Sequence, residues 1–326
     1  MVEKQMCEND LSNEVPKGKK CSLCSGSAVI FLPYADKYMC RKHFVRHFEK
    51  RFFETVREFG MVKKGETVAL GLSGGKDSTT LLYMLRKLKT KLPFDIIAIT
   101  IDLGIDCEYN KKIIQIAAET CKQLGIRHYI FPLKNAIGYT IDELVVKTGT
   151  RNPCSECGIV RRYLLNRYAR ELGANKLAIA HTLNDTAETV LMNILRNEPL
   201  RLFRYNEHLI SNERFVPRIK PFLKSPESEV VTYGRLKGLQ LLEKKCCPYS
   251  IYAFRKFIRK QLAEIEQKYP GSMFKIVNSF LKLQKMFKKE NTMKLSINQC
   301  KICGEPCGGD GCKFCQLLGR LNDQTR

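Results

Sequence analysis

The chain has 326 residues, of which 44% are hydrophobic, a length and composition typical of a folded protein of about two domains. No signal-like N-terminal segment and no apolar run near the ~18 residues of a membrane helix stands out, so we expect a cytoplasmic protein with no membrane partner. The formal net charge of +23 favours a polyanionic partner, with nucleic acid ahead of a membrane surface; the alternative is a lysine-rich surface that is only solvated.

The chain contains fifteen cysteines, which without a signal peptide indicate metal or redox chemistry rather than a disulfide framework. Two sets have the spacing of zinc ligands: the first is Cys21, Cys24, Cys40 and His43, and the second is Cys300, Cys303, Cys312 and Cys315. Each knuckle offers two ligands on a tight turn, and two knuckles complete a tetrahedron. We therefore predict two structural Zn²⁺ sites, against the alternative of unliganded thiols, and leave the nearby Cys307 out of the second.

After the first cysteine set, residues 42–59 form a predicted charged, aromatic helix. Four apolar runs then alternate with helical stretches, at residues 67–72, 94–105, 127–132 and 176–181. This alternation predicts a parallel sheet covered by helices on both faces, a Rossmann-like α/β fold. Ser225 is the predicted cap of a helix with Pro226 at its first position, and residues 226–290 are predicted to be mainly helical and basic.

The segment GLSGGKDS follows the first predicted strand. Its candidate ATP-binding residues are Gly71, Ser73, Gly74, Gly75, Lys76, Asp77 and Ser78. Glycines let backbone N–H groups face an anion, and the helix that follows adds its positive end. The Asp77 carboxylate beside the phosphates suits Mg²⁺. The spacing departs from the Walker A pattern and, unless it is a chance Gly-Gly turn, resembles the PP-loop of ATP pyrophosphatases, which cut ATP between its α and β phosphates.

Three cysteines in the middle of the chain lack a complete zinc spacing. Cys154 and Cys157 form a C-x2-C directly before a predicted helix, and Cys247 lies between Cys246 and a proline. Three thiolates make a poor closed zinc site but can hold an iron–sulfur cluster with one iron open. A third structural zinc site, or a redox dithiol pair, explains the pattern about as well.

In combination, these motifs resemble the TtuA/NcsA family of tRNA 2-thiouridine synthetases. The resemblance spans nearly the whole chain and includes the order C-x2-C-x15-C-x2-H, S-G-G-K-D-S, P-C-S-x-C-G, C-P-Y-S and the closing C-x2-C pair. It implies that Cys154, Cys157 and Cys247 hold a 4Fe-4S cluster and that Cys246 is a bystander.

The reaction implied by this resemblance is 2-thiolation of a uridine in tRNA. ATP adenylates the C2 oxygen, sulfide held at the open iron attacks C2, and AMP and pyrophosphate are released. We favour the wobble uridine over one in the T-loop. The expected sulfur donor is a thiocarboxylated ubiquitin-like carrier protein or free sulfide, and the resemblance implies a homodimer.

Two positions depart from the family pattern. Family members often have lysine four residues after the second cluster cysteine, where this chain has Arg161. Arginine cannot act as a base but can stabilise charge, so Asp77 and Arg161 are the candidate catalytic residues. The family stretch G-H-N-x-D-D keeps only its second acid here, Asp185, which joins Ile101 among the ATP-binding candidates. His181, in the same stretch, is equally explained as a satisfied residue at a strand end.

The segment SIYAFRKFIRKQL, just after the third cluster cysteine, combines an apolar stripe with basic residues. The stripe, which is Ile251, Phe254, Ile258 and Leu262, is expected to face the core. The basic neighbours Arg255, Lys256, Arg259 and Lys260 are candidates for contact with RNA phosphates.

These features divide the chain into four predicted segments. They are an N-terminal zinc finger (1–50), a PP-loop catalytic domain (51–225), a basic, tRNA-binding helical region with the third cluster ligand (226–295) and a C-terminal zinc ribbon (296–326). Two alternative functions stay open: a tRNA 2-thiocytidine synthetase of the same superfamily, and a non-catalytic zinc-containing RNA-binding protein.

Overall fold

A computed structural model describes residues 15–150, 152–203, 214–242, 247–249, 254–289 and 298–323. Cys246 and Ile251, which the sequence analysis discussed, lie outside these ranges. In the part of the chain that is described, no helix combines the length and apolarity needed to cross a bilayer.

The N-terminal module is a small antiparallel hairpin followed by a long helix. Strand β1 (Ala28–Leu32) pairs with β2 (Lys37–Cys40), and helix α1 (Arg41–Glu58) follows directly. Phe44, Phe48 and Phe52 are fully buried because positions four residues apart share one face of a helix. The predicted helix at 42–59 is therefore confirmed within one residue at each end.

The centre of the molecule is a parallel five-stranded sheet in the order β5-β4-β3-β6-β7. Its strands are β3 (Thr67–Gly71), β4 (Asp95–Asp102), β5 (Arg127–Pro132), β6 (Lys176–Ala178) and β7 (Arg218–Ile219). Every neighbouring pair is parallel, which confirms the predicted α/β fold. The fourth predicted strand ends three residues early, and the two-residue β7 was not predicted because it is too short to carry a period.

Helices cover both faces of this sheet. They are α2 (Lys76–Lys89), α3 (Glu108–Leu124), α4 (Leu133–Ile137), α5 (Ile141–Thr148), α6 (Pro153–Glu171), α7 (Leu183–Leu195), α8 (Pro199–Phe203) and α9 (Glu227–Leu236). Side chains alternate across a strand: Val68 and Leu70 pack in one core with α1, α2 and α9, while Ala69 packs in a second core with α6. The strands are thus buried on both sides, as their continuous apolar runs indicated.

The C-terminal third is mainly helical. Its elements are α10 (Phe254–Lys268), α11 (Ser272–Lys289), the strands β8 (Asn298–Gln299) and β9 (Pro306–Cys307), and α12 (Lys313–Asp323). Helices α10 and α11 pack on α7 through Ile258, Leu262 and Val277. These two helices are anchored on the sheet through α7, whose N-terminus lies at the edge where the strands end, whereas α12 packs on α6.

The predicted start of α9 is wrong by one residue. The cap position is Pro226, and Ser225 makes no capping hydrogen bond. Ser225 is fully buried, its carbonyl accepts a bond from the Leu183 N–H at the start of α7, and its hydroxyl has no hydrogen-bond partner among the described residues. The Ser225 carbonyl therefore helps to hold the start of α7 beside α9. A local capping pattern does not reveal this contact.

Candidate active site and metal centres

The segment GLSGGKDS connects the end of β3 to α2 at the carboxyl edge of the sheet. Chain order reverses beside β3, because β4 lies on one side and β6 on the other, and ligands of open α/β sheets bind at such switch points. Gly74 has a φ of +74°, and a Cβ there would lie 1.8 Å from the Ile113 carbonyl oxygen of α3. Only glycine fits this close approach of two backbones.

Two serines hold the loop in shape. The Ser73 and Ser78 hydroxyl oxygens lie 3.0 Å apart, the Gly75 N–H donates to Ser73 Oγ at 3.3 Å, and Ser78 Oγ donates to the Gly75 carbonyl at 3.1 Å. Gly75 is also the residue before the first turn of α2. The loop is therefore ordered around a helix N-terminus, which is a favourable place for a phosphate.

Lys76 is buried and pairs with two carboxylates. Its Nζ lies 3.2 Å from Asp77 Oδ2 and also pairs with Glu227 at the start of α9. Burial acts to lower the pKa of Lys76, but the charges of Asp77 and Glu227 outweigh it and raise the pKa. The Glu227 N–H donates to Asn184 Oδ1 at 2.9 Å, so α2, α7 and α9 meet here. The sequence analysis missed Glu227, because a Ser-Pro-Glu segment is fully explained as a helix start.

The three middle cysteines lie together although 90 residues separate Cys157 from Cys247. Cys154 Sγ donates to the Tyr249 carbonyl at 3.2 Å, and Arg161 Nη2 lies 3.2 Å from Cys157 Sγ. Burial raises the pKa of Cys154, and the charges of Cys247 and Cys157 raise it further. Burial likewise raises the pKa of Cys247, with the Tyr249 N–H and Arg161 opposing it and Cys157 adding to it. Each thiol thus lies within electrostatic reach of the others.

The prediction that Cys154 and Cys157 precede a helix is wrong: both lie in the first two turns of α6, which begins at Pro153. Proline at the first helical position lacks only an N–H that has no partner in the helix. Two cysteines three residues apart then share one helix face. This placement brings Arg161, one turn further along, onto the same face beside Cys157.

Tyr109, near the start of α3, links the cysteines to the phosphate loop. Burial raises the pKa of its phenol; the Lys76 charge opposes this effect, and the charges of Asp77 and Cys247 add to it. Tyr109 therefore lies within electrostatic reach of the phosphate loop and of Cys247. Both groups lie at the carboxyl edge of the sheet, and the region between them is called the crevice below.

The two terminal cysteine sets are more compact than the middle one. In each predicted zinc set the four ligand atoms lie within 4.8 Å of one another, and among the described residues these are the sets that reach this density. The middle thiols are not packed as tightly. A cluster suits them better than one ion, because in a cluster each thiolate binds a different iron.

The ligand atoms of the N-terminal set lie close enough together to hold one cation. His43 Nδ1 lies 3.3 Å from Cys21 Sγ and 3.4 Å from Cys40 Sγ. Burial acts to raise the pKa of Cys21, but backbone N–H groups of Cys40 and Leu23 and the His43 side chain outweigh it and lower the pKa to about 6. A thiolate is the form that binds zinc, and Cys21 favours it. At Cys24 the Gly26 N–H acts to lower the pKa, but burial and the Cys40 and Cys21 thiols outweigh it and raise the pKa.

The C-terminal set also contains one cysteine with a lowered pKa, whereas burial raises the pKa of Cys312 to about 11 and, together with the neighbouring thiols, raises that of Cys315. The Cys312 N–H donates to Cys300 Sγ at 3.3 Å. Burial opposes ionisation, yet backbone N–H groups from Cys312 and Cys303 lower the pKa of Cys300 to about 6. Cys307, left out of the prediction, donates to the Gly309 carbonyl at 2.8 Å and is not among the four.

Asp185, His181 and Ile101 lie at or near the ends of helices and strands. Asp185 Oδ2 accepts hydrogen bonds from the N–H and the hydroxyl of Thr182, forming a capping box at the start of α7. His181 lies between β6 and α7, and Ile101 is half-buried near the end of β4. A capping role is thus the primary contact of Asp185 in this structure.

The basic residues of α10 divide into two pairs. Arg255 and Arg259 bond the buried Glu188 of α7 at 2.9 and 2.7 Å, whereas Lys256 and Lys260 are exposed. Of the expected apolar stripe, Ile258 and Leu262 are buried, but Phe254 is 39% exposed. The expectation that Phe254 faces the core is therefore wrong: its ring lies beside the exposed Arg196 at the end of α7.

Two models of known protein families match the chain. A model of the PP-loop domain family matches residues 43–266, and a model of the N-terminal LIM domain of the 2-thiouridine synthetase TtuA matches residues 20–45. The chain is 36% identical to the tRNA-5-methyluridine(54) 2-sulfurtransferase of Pyrococcus horikoshii, covering 92% of this chain and 94% of that protein. It is 34% identical to the cytoplasmic tRNA 2-thiolation protein 1 of Arabidopsis thaliana, over 93% of this chain and 84% of that protein.

A solved structure is similar over the same length. The U34-tRNA thiolase NcsA from Methanococcus maripaludis, described with its 4Fe-4S cluster, superimposes with a TM-score of 0.79 and 32% identity. The match covers 93% of this chain and 96% of that one.

Proposed function

We propose that this chain, which belongs to the TtuA/NcsA family of PP-loop tRNA 2-thiolation enzymes, uses ATP to replace the C2 oxygen of a tRNA uridine with sulfur. One observation supports the proposal: Tyr109 of α3 lies within electrostatic reach of Lys76 and Asp77 of the phosphate loop and of Cys247, and the same helix contacts the loop at Gly74. An ATP-binding loop and a sulfur-handling thiol set have a common use only if one substrate reaches both. A uridine base inserted into the crevice satisfies that condition.

In the first step the uridine C2 oxygen attacks the α-phosphorus of ATP. A P–O bond forms, the α–β anhydride bond breaks, and pyrophosphate departs. Backbone N–H groups of the loop bind the leaving phosphates. The Lys76 ammonium exchanges its pairing with the Asp77 and Glu227 carboxylates for a pairing with phosphate. Asp77 is the proposed magnesium ligand. The roles of the other loop residues and of Ile101 and Asp185 in binding ATP stay predictions.

In the second step sulfide attacks C2 and AMP departs with the former C2 oxygen. A C–S bond forms, a C–O bond breaks, and no electrons are transferred. Cys154, Cys157 and Cys247 are the proposed ligands of a 4Fe-4S cluster, which when bound offers an iron without a protein ligand that can hold the sulfur. Arg161 stays charged, and its contact with Cys157 places that charge where it can stabilise the departing phosphate.

The remaining partners follow from the family and the surface charge. The terminal cysteine sets are proposed to hold two structural Zn²⁺ ions, and the segment boundaries given above stay predictions. We propose a cytoplasmic homodimer that receives sulfur from a thiocarboxylated carrier protein or as free sulfide. The relatives divide between position 54 and position 34 of tRNA, and we propose the wobble uridine at position 34.

Nucleoside mass spectrometry tests this function directly. Anaerobically purified protein is incubated with unmodified tRNA, ATP, Mg²⁺ and sulfide, and the digested tRNA is analysed. We expect 2-thiouridine that requires ATP, and its loss in Asp77→Asn with tRNA binding retained. Formation of 2-thiocytidine instead, or tRNA binding without any thiolated nucleoside, would contradict the proposal and support one of the two alternatives.

A further inference from the structure

Helix α10 exposes two aromatic rings. Phe254 is 39% exposed and Phe257 is 58% exposed, whereas Ile258 and Leu262, one and two turns after Phe254, are buried. The two phenylalanine rings lie nearly parallel, 15° apart, with centroids separated by 6.3 Å. A pair of exposed, aligned rings on a helix that already has a buried apolar face is not needed for packing, so it calls for another explanation.

One cation lies over this pair, and two more are exposed on the same helix. The Arg196 guanidinium lies 5.1 Å from the Phe254 ring centroid, and Lys256 and Lys260 are exposed on the same helix. Arg255 and Arg259 of α10 differ from these two lysines, because both arginines pair with the buried Glu188. The surface formed by Phe254, Phe257, Arg196, Lys256 and Lys260 is called the aromatic platform below.

The helix that carries the aromatic platform is connected to the phosphate loop through α7 and α9. Arg259, two residues after Phe257, lies 3.5 Å from Asp185 at the start of α7. The neighbouring Asn184 holds the N-terminus of α9, which carries the Glu227 that pairs with Lys76. A chain of direct contacts thus joins the helix of the platform to the phosphate loop.

We propose that the aromatic platform stacks an unpaired base of the tRNA substrate. The inference rests on the proposed function and names a surface for its substrate. Exposed rings interleaved with cations bind single-stranded nucleic acid, because every base has a π-face and every nucleotide a phosphate. RNA recognition uses such rings on loop nucleotides, whose bases are free to unstack. The cations disfavour the other occupant of an apolar surface, a second copy with the same charges.

Fluorescence anisotropy with full-length protein and labelled unmodified tRNA tests the platform. Because each stacked base contributes about 1–3 kcal/mol, Phe257→Ala should weaken binding by about 5- to 150-fold, and Phe257→Trp should restore it. Leu283→Ala, at a 52% exposed site on α11, is the matched control and should bind as wild type. ATP binding by Phe257→Ala should be unchanged, which shows that the variant is folded.

A salt titration separates stacking from charge. Lys256→Gln should reduce the slope of log affinity against log salt by about 0.7, the value for one single-strand phosphate contact, while Phe257→Ala should leave the slope unchanged. Wild-type affinity in Phe257→Ala overturns the inference, as does conversion of a dimer to a monomer in sedimentation, which assigns the surface to a second copy. Failure of the wild-type protein to bind tRNA would instead overturn the proposed function itself.

Discussion

Gly74 is the residue on which the shape of the phosphate loop most depends. It lies in the left-handed region and faces the Ile113 carbonyl at a distance that leaves no room for a methyl group. The loop can therefore approach α3 only with glycine at this position. The close approach has a use, because it aligns the loop N–H groups at the start of α2.

Substituting Gly74 separates this close approach from ordinary backbone strain. Gly74→Ala forces the loop or α3 to move, and a shift near 1 Å can reduce the rate by about 100-fold. Gly173→Ala is the control, since Gly173 has a similar φ of +71° but no atom within 4 Å of a Cβ. It should cost about 1 kcal/mol of stability and leave activity intact. Equal activity of the two variants, measured as ATP-dependent thiolation, would show that the contact with α3 is unimportant.

The candidate residues that belong to contiguous motifs are recognisable in the sequence, whereas those that approach the site from distant parts of the chain are not. The phosphate loop and the zinc sets have spacings that the chemistry itself dictates. Glu227 lies 151 positions from Lys76, and nothing local marks it as a partner of that lysine. Phe254 has helical spacing with Ile258 and Leu262, yet it lies at the edge of that face and remains partly exposed.

Helix α9 connects the N-terminal module to the phosphate loop. Its first turn carries Glu227, which pairs with Lys76, and Glu229, which is 1% exposed. Glu229 accepts hydrogen bonds from Arg51 of α1 at 2.8 Å and from the Tyr34 hydroxyl at 2.8 Å. These contacts connect the N-terminal module, through α9, to Lys76, which we expect to bind ATP.

Removing one partner of this buried pair should destabilise the protein strongly. Arg51→Met leaves the Glu229 charge buried without its cation, and such a loss costs about 3–5 kcal/mol. The adjacent exposed pair of Lys50 and Glu54, 3.9 Å apart, provides the control, because Lys50→Met should cost less than about 1 kcal/mol. Urea unfolding measures both. Similar losses in the two variants would mean that the buried network does not hold α9 in place.

The elements themselves were predictable to the extent that they are long. Strand β4 has a continuous apolar run, which was predicted at 94–105 and is observed at Asp95–Asp102. The two-residue β7 is defined by its pairing with β6, and pairing is not visible in a single sequence. The hydroxyl of Ser225 fits a helix cap locally, but tertiary packing places the residue in a turn.

At the scale of the whole molecule, both terminal modules support the same crevice. The N-terminal module acts through α9. The C-terminal module packs on α6, the helix of Cys154 and Cys157, with Phe314 stacked on Tyr163 at 3.7 Å. Glu305 of this module also accepts a hydrogen bond from Asn166 of α6 at 2.9 Å. Metal binding at both ends, as proposed above, would therefore stabilise a site that neither end contains.

The iron and zinc content of the anaerobically reconstituted protein tests the shared ligation by three distant thiols most directly. Four irons per chain should bind to the wild type, as in a 4Fe-4S protein, together with two zinc ions. Alanine at Cys154, Cys157 or Cys247 should each abolish the iron and spare the zinc, whereas Cys121→Ala, at a buried cysteine of α3, should keep both. Full iron content in Cys247→Ala would contradict a common cluster.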